Sequence, residues 1–97
     1  YGAANAFVVF AEHLPRVIVV GDKTGGGAGV PFSSELPGGG SLRFSACPMY
    51  DINMVCTESG IEPDVHADIT SEDYASNRDT IIETARKLLR ERCQTTN

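Results

Sequence analysis

The sequence predicts an α/β fold, with a small β-sheet that includes a hairpin and two flanking helices. Three observations predict it. An apolar segment with helical spacing at 3–14 runs through a short turn into the β-branched run Val17-Ile18-Val19-Val20. Helix, turn and buried strand make half of an α/β crossover unit. Two further segments, 32–36 and 41–46, flank Pro37-Gly38-Gly39-Gly40, which supplies the positive-φ positions of a hairpin. The last segment carries Ile81, Ile82, Ala85, Leu88 and Leu89 at i, i+1, i+4, i+7 and i+8, a helical stripe.

In the first helix Phe7, Phe10, Ala11 and Leu14 fall at i, i+3, i+4 and i+7, and Val8 and Val9 widen that stripe. The helix is therefore expected to be buried on most sides. Pro15 ends it, because a residue before proline is pushed out of the α region. The run 17–20, closed by Gly21, suits a strand covered on both faces, as in a parallel sheet. Residues 22–29 form a glycine-rich loop. In the second hairpin strand Leu42, Phe44 and Ala46 alternate with Ser41, Arg43 and Ser45, the period of a half-buried strand. A turn is expected at 51–53, a short strand at 55–57, a loop at 60–64 and another short strand at 65–69. Asn77 or Ser76 can cap the final helix. Asp79 and Glu83 lie early in it and Arg86, Lys87, Arg90 and Arg92 late, which complements the helix dipole. Glu83 and Lys87 form an i,i+4 pair, and the charged face reads as solvated surface.

Composition narrows the function classes. The chain has 97 residues, 41% of them hydrophobic and 22% charged, which suits one small domain. A chain of this length buries only roughly 60–65% of its unfolded surface, so it folds with little margin or belongs to something larger. Eight Lys and Arg against 13 Asp and Glu give a net charge of −5, a poor match to nucleic-acid phosphates or an anionic membrane. The longest apolar stretch, 6–11, is far below the about 20 residues that span a bilayer. The sequence starts at Tyr1 without a leader pattern, and a processed or excised piece is expected. Cys47, Cys56 and Cys93 lack CxxC spacing, which disfavours a zinc ribbon or disulfide scaffold. A Cys47–Cys56 bridge stays open beside the reading as free thiols.

The loop Asp22-Lys23-Thr24-Gly25-Gly26-Gly27-Ala28-Gly29 is not a phosphate loop. Lys23 and Thr24 precede the glycines, and Pro31 follows them where a helix would be needed. His13 reads as a cation favoured by a helix C-terminus, and His66 as an exposed strand residue. Neither has a sequence partner at metal-ligand spacing. Thr57-Glu58-Ser59-Gly60-Ile61-Glu62-Pro63-Asp64 is dense in carboxylates yet bracketed by apolar residues. Composition alone makes it a polar turn.

Three segments taken in order resemble one family. They are Tyr1-Gly2-Ala3-Ala4-Asn5-Ala6-Phe7 with Val17 to Gly27, then Pro31-Phe32-Ser33-Ser34-Glu35-Leu36-Pro37-Gly38-Gly39, then Thr57 to Val65. Together they resemble the tail-specific, or carboxyl-terminal processing, serine peptidases, including the tricorn-core branch, over roughly residues 1–70. The resemblance is closest to secreted or lipid-anchored members from Bacteroides-like bacteria. It implies a partial ClpP/crotonase-like core, with 1–97 as the C-terminal portion of a peptidase catalytic domain whose upstream part is missing. It also implies a location in the cell envelope, either periplasmic or lipid-anchored.

In that family the nucleophilic serine follows the tyrosine at a helix N-terminus, whose free N–H groups suit an oxyanion. The resemblance puts the nucleophile position at Gly2 and an oxyanion donor on the Ala3 N–H. Gly2 has no hydroxyl, and Ala3 and Ala4 have none either. A deliberate replacement, a natural non-catalytic relative and a different register near the start all fit. One branch places a lysine base where this chain has Gly27. The other takes a histidine from an upstream domain and a glutamate that corresponds to Glu58, as orienting carboxylate of a Ser–His–Glu-like set. Neither His13 nor His66 matches the histidine. Thr24, Gly25 and Gly26, with Val30 and Phe32 of a free strand edge at 30–36, are the expected substrate-binding residues, the peptide adding as a strand. The expected function is a piece of a serine endopeptidase that acts on polypeptide tails and is inactive as it stands. The alternative is a non-catalytic peptide-binding or structural relative. No cofactor or metal is implied. The partners implied are a peptide or protein substrate and the upstream part of the same chain. Apolar surface left uncovered leads us to expect self-association.

Overall fold

The computed structural model describes residues 1–95. Its elements in chain order are helix α1 (Gly2–Ala11), strands β1 (Val20–Gly21), β2 (Val30–Glu35), β3 (Ser41–Cys47) and β4 (Val65–His66), and helices α2 (Ser71–Ala75) and α3 (Thr80–Thr95). They fall into two compact units. One comprises Tyr1–Val17 with Thr24–Ile61, the other Ile18–Lys23 with the chain from Glu62 onward.

The first unit holds α1 and the hairpin. Helix α1 stops short of Pro15: Glu12 caps it with its N–H on Val8 O (2.9 Å), and Leu14 N–H turns back to Ala11 O (3.0 Å). Its expected burial on most sides is corrected. The inward residues are Asn5 and Val9, one helical turn apart, while Phe7 and Phe10 are each 73% exposed. The helix turns inward the face whose amide finds polar partners, and the phenylalanines lie outside it. The interior of this unit is Val9, Ala28 and Ile61 around the fully buried Asn5 and Thr57.

Strands β2 and β3 form the expected antiparallel hairpin, with Phe32 opposite Phe44 and their rings 5.8 Å apart, edge to face. The register slips between Val30 and Pro31, where proline has no N–H to give the ladder. Both strands are exposed along their whole length. The strand expected at 55–57 is reduced to one bridge, Tyr50 to Cys56. Asp51 Oδ1 accepts the N–H groups of Asn53 (2.8 Å) and Val55 (2.9 Å), so the turn extends to Val55 and consumes the residue that would begin a strand. Cys47 and Cys56 are exposed and no disulfide joins them, so the possible Cys47–Cys56 bridge is not formed.

The second unit is built on a parallel pair, Val20 with Val65 and Gly21 with His66. The expected strand at 17–20 is thereby cut to its end. The Asp64 carboxylate takes the Val19 N–H (2.8 Å) that a ladder would use, while Asp64 N–H returns to Val19 O (2.8 Å). Likewise 65–69 shortens to two paired residues. Helix α3 packs on β1, where a Cβ at the buried Gly21 would lie 3.6 Å from Ile81 Cγ2. Helix α2 was not expected. Thr70 caps it by accepting Asp73 N–H (3.1 Å), with Glu72 and Asp73 in its first turn, a signature that Thr70-Ser71-Glu72-Asp73 carries locally. The cap of α3 is Asp79 rather than Asn77 or Ser76. Its Oδ1 accepts from Ile81 N (2.9 Å) and Ile82 N (3.1 Å), while Asn77 adopts φ +55 just after α2. Glu83 pairs with Arg86 (3.2 Å) rather than Lys87. No helix among the described residues is long and apolar enough to cross a membrane.

Two predictions follow from this unit. Asp79→Ala removes both cap bonds and is expected to cost about 1 kcal/mol, read as a lower urea midpoint by circular dichroism. The Asp22 carboxyl is held below its ordinary value, first by the Lys23 N–H (2.7 Å) and then by His66 (3.1 Å). Its ionised form therefore favours the folded chain above the ordinary carboxylate range, and this contribution is lost as pH falls through the lowered folded-state value. Asp22→Asn should lower the urea midpoint near neutral pH, and the difference from the unaltered chain should vanish in strong acid.

Candidate functional site

The residues of the expected site all belong to the first unit. Gly2 opens α1, and its N–H donates to Gly26 O (3.1 Å). The next loop residue, Gly27, donates its N–H to Glu58 O (3.0 Å), and Ala28 N–H donates to Glu58 Oε2 (3.1 Å). The start of the helix, the glycine loop and the Thr57-Glu58 corner are thus linked in sequence by short backbone bonds. Glycine is required in the middle of this chain of contacts. Gly26 has φ +74, and a Cβ there would fall 2.0 Å from Glu58 O, inside any permitted contact distance.

A buried polar network keeps the three segments in place. Asn5 Nδ2 donates to Thr57 O (3.4 Å), Asn5 Oδ1 accepts the Thr24 hydroxyl, and Thr24 Oγ1 accepts Ile61 N–H (2.7 Å). Thr57 is also anchored through its N–H (3.0 Å) and hydroxyl (3.2 Å), both on Met49 O. Asn5 and Thr57 are fully buried, and such groups are tolerated only when paired. Sequence reasoning missed both. The available signal is the single amide of Asn5 in an otherwise apolar Ala3–Ala11 helix.

Gly2, Ala3 and Ala6 line a cleft of about 330 Å³ together with Gly27, Ala28, Gly29, Val30, Pro31 and Met49. Gly2 has φ +56, and a Cβ at this position would meet nothing within 4 Å, so a side chain there would have free space. Ala3 brings a first-turn amide of α1 to the cleft wall, where helix N–H groups lack intrahelical acceptors. Val30 lies in the same wall, whereas Phe32 packs against Phe44. The Thr24 hydroxyl is spent inside the protein, as donor and as acceptor. Gly25 lies under the Tyr1 ring, where a Cβ would come within 2.5 Å of the ring carbons. Glu58 is exposed and lines an adjoining cleft with Ser45, Cys47 and Cys56; Gly29 borders both clefts. The structure therefore brings Gly2, Ala3, Gly26 and Val30 together and sets the Glu58 carboxylate one loop residue away. His13 and His66 line neither cleft. Chemically, the arrangement offers N–H donors for an anionic oxygen and a fixed carboxylate, with no hydroxyl at Gly2.

The family model for peptidase family S41 matches residues 1–67. Among solved structures, that of a candidate peptidase from Parabacteroides merdae is similar over 92% of this chain, at 58% identity and a TM-score of 0.85. The chain spans 28% of the length of that relative. No curated protein matches.

The network and the close approach at Gly26 predict that both are needed for folding. Asn5→Ala strands the Thr24 hydroxyl and the Thr57 carbonyl and should cost about 2–3 kcal/mol. Gly26→Ala should cost roughly 3 kcal/mol or more, because backbone must move to admit the methyl group. Thermal and urea unfolding of the two variants measures these losses.

Proposed function

The chain belongs to peptidase family S41, and from that premise we propose that it carries the nucleophile position and the orienting carboxylate of a serine-type peptidase site. Gly2 is the nucleophile position, the Ala3 N–H an oxyanion donor and Glu58 the carboxylate that orients a histidine supplied by another part of the full protein. The substrate is an extended polypeptide tail that runs along the β2 edge, past Val30 and Phe32. The observation that carries this reading is the run of bonds from Gly2 N–H to Gly26 O and from the next two loop amides to Glu58 (3.0–3.1 Å). It holds a helix N-terminus and a carboxylate on the two sides of one short loop.

With glycine at position 2 there is no oxygen to attack the scissile carbonyl, so the chain as it stands hydrolyses nothing. The open space around Gly2 and its φ of +56 favour a site that accepts a serine at some strain. Nucleophile turns of hydrolases are strained in this way. The same φ is one that glycine adopts freely. That favours a second reading, in which the scaffold binds peptide tails without cutting them. A cell-envelope location accompanies both readings.

Gly2→Ser in the full-length protein distinguishes the two. Peptidase activity on casein or a tail peptide is expected to appear in that variant and in no protein with Gly2. Adding Glu58→Gln to it should then lower kcat by on the order of 10²-fold or more. A folded Gly2→Ser protein that binds the peptide and leaves it intact overturns the catalytic reading in favour of the second.

A further inference from the structure

We propose that Glu12, His13 and Asp51 form a binding site for a transition-metal dication of the zinc class, separate from the peptidase site. Glu12 and His13 follow the last turn of α1, and Asp51 comes from the distant 51–55 turn, so no sequence spacing announces the trio. His13 Nε2 lies 3.1 Å from Glu12 Oε1 and 3.8 Å from Asp51 Oδ2. All three ligand atoms lie within 4.8 Å of one another.

Three features favour a metal over a simple ion pair. First, Nε2 carries at most one proton, so it can serve only one of the two carboxylates that face it. Glu12 sits at hydrogen-bond distance, while Asp51 Oδ2 lies beyond it on a side chain only 10% exposed. A shared cation would neutralise both carboxylates and take the Nε2 lone pair at once. Second, Asp51 is already aimed. Its other oxygen, Oδ1, accepts the Asn53 and Val55 N–H groups, which fixes the carboxylate with Oδ2 toward His13. Third, the spacing fits. Ligands at about 2.0–2.2 Å in a tetrahedral set lie about 3.4 Å from one another, and the observed 3.1 and 3.8 Å bracket that value. One imidazole with two carboxylates suits zinc rather than calcium or magnesium. Three protein ligands leave a fourth position for water. The metal would clamp the end of α1 to the 51–55 turn.

The chain contains its own control. Asp22, His66 and Asp68 also cluster, but Asp22 meets His66 Nε2 (3.1 Å) and Asp68 meets Nδ1 (3.8 Å). One ligand atom from each also lies within 4.8 Å of the others, but the closest carboxylate contacts fall on opposite nitrogens of the ring and all three side chains are more than half exposed.

The test is a calorimetric titration of zinc into the metal-stripped chain carrying Cys47→Ser, Cys56→Ser and Cys93→Ser, so that thiols contribute nothing. Binding of one zinc per chain is expected, together with a rise in Tm. Cobalt should give tetrahedral visible absorption. His13→Gln and Glu12→Gln should each weaken binding by about tenfold or more, and His66→Gln should leave it unchanged. His13 is exposed, so its variant should fold as the parent does, which the circular dichroism spectrum checks. No saturable binding in the cysteine-free chain overturns the proposal. So does binding that survives His13→Gln or is lost in His66→Gln.

Discussion

A single buried amide holds three stretches of backbone together. Asn5 is the one polar residue on the inward face of α1, and it reaches the glycine loop through Thr24 and the 57–61 corner through the Thr57 carbonyl. Its orientation follows from its partners: only the NH2 end can satisfy the Thr57 carbonyl, so the oxygen faces the Thr24 hydroxyl. Because Thr24 also accepts the Ile61 N–H, the bonds form a chain in which each donor polarises the next. Within these residues α1 is fixed by polar complementarity, and Phe7 and Phe10 take no part in that docking.

That positioning gives Gly2 its surroundings. Once Asn5 is docked, the first turn of α1 lies against Gly26, and the loop in turn lies against the backbone and carboxylate of Glu58. The approach is so close that a β-carbon is excluded at Gly26, while the space at Gly2 stays empty. The two glycines thus have opposite meanings. One is demanded by contact. The other leaves a place where the scaffold admits a side chain and the sequence supplies none. Glu58 contributes by main chain and side chain alike, so its carboxylate is held in place by the same loop that borders the cleft at Gly2.

The same logic operates at the far end of α1. Glu12 and His13 are unremarkable in sequence, and Asp51 belongs to a turn whose purpose is local, since it satisfies two of its own amides. Folding of the first unit brings the other oxygen of that turn to 3.8 Å from His13 Nε2. In the other unit Asp64 acts comparably: its side chain ends the β1 pairing early and leaves a two-residue parallel contact on which α3 packs.

The sequence by itself determined what depends on neighbours a few residues apart. The hairpin at 30–47, the final helix and the loop after Gly21 were legible from period and turn chemistry, and the family from the pattern of three segments. Helix α2 and the Asp79 cap carry local Thr and Asp signals, weaker in the sequence than the apolar stripe of α3. Tertiary structure alone decided which face of α1 is buried, how little of 17–20 pairs, that Asn5 and Thr57 join the site, and that His13 meets Asp51. Each of these rests on groups far apart in sequence whose meeting depends on desolvation and on a hydrogen-bond partner being present, and residue spacing carries no record of either.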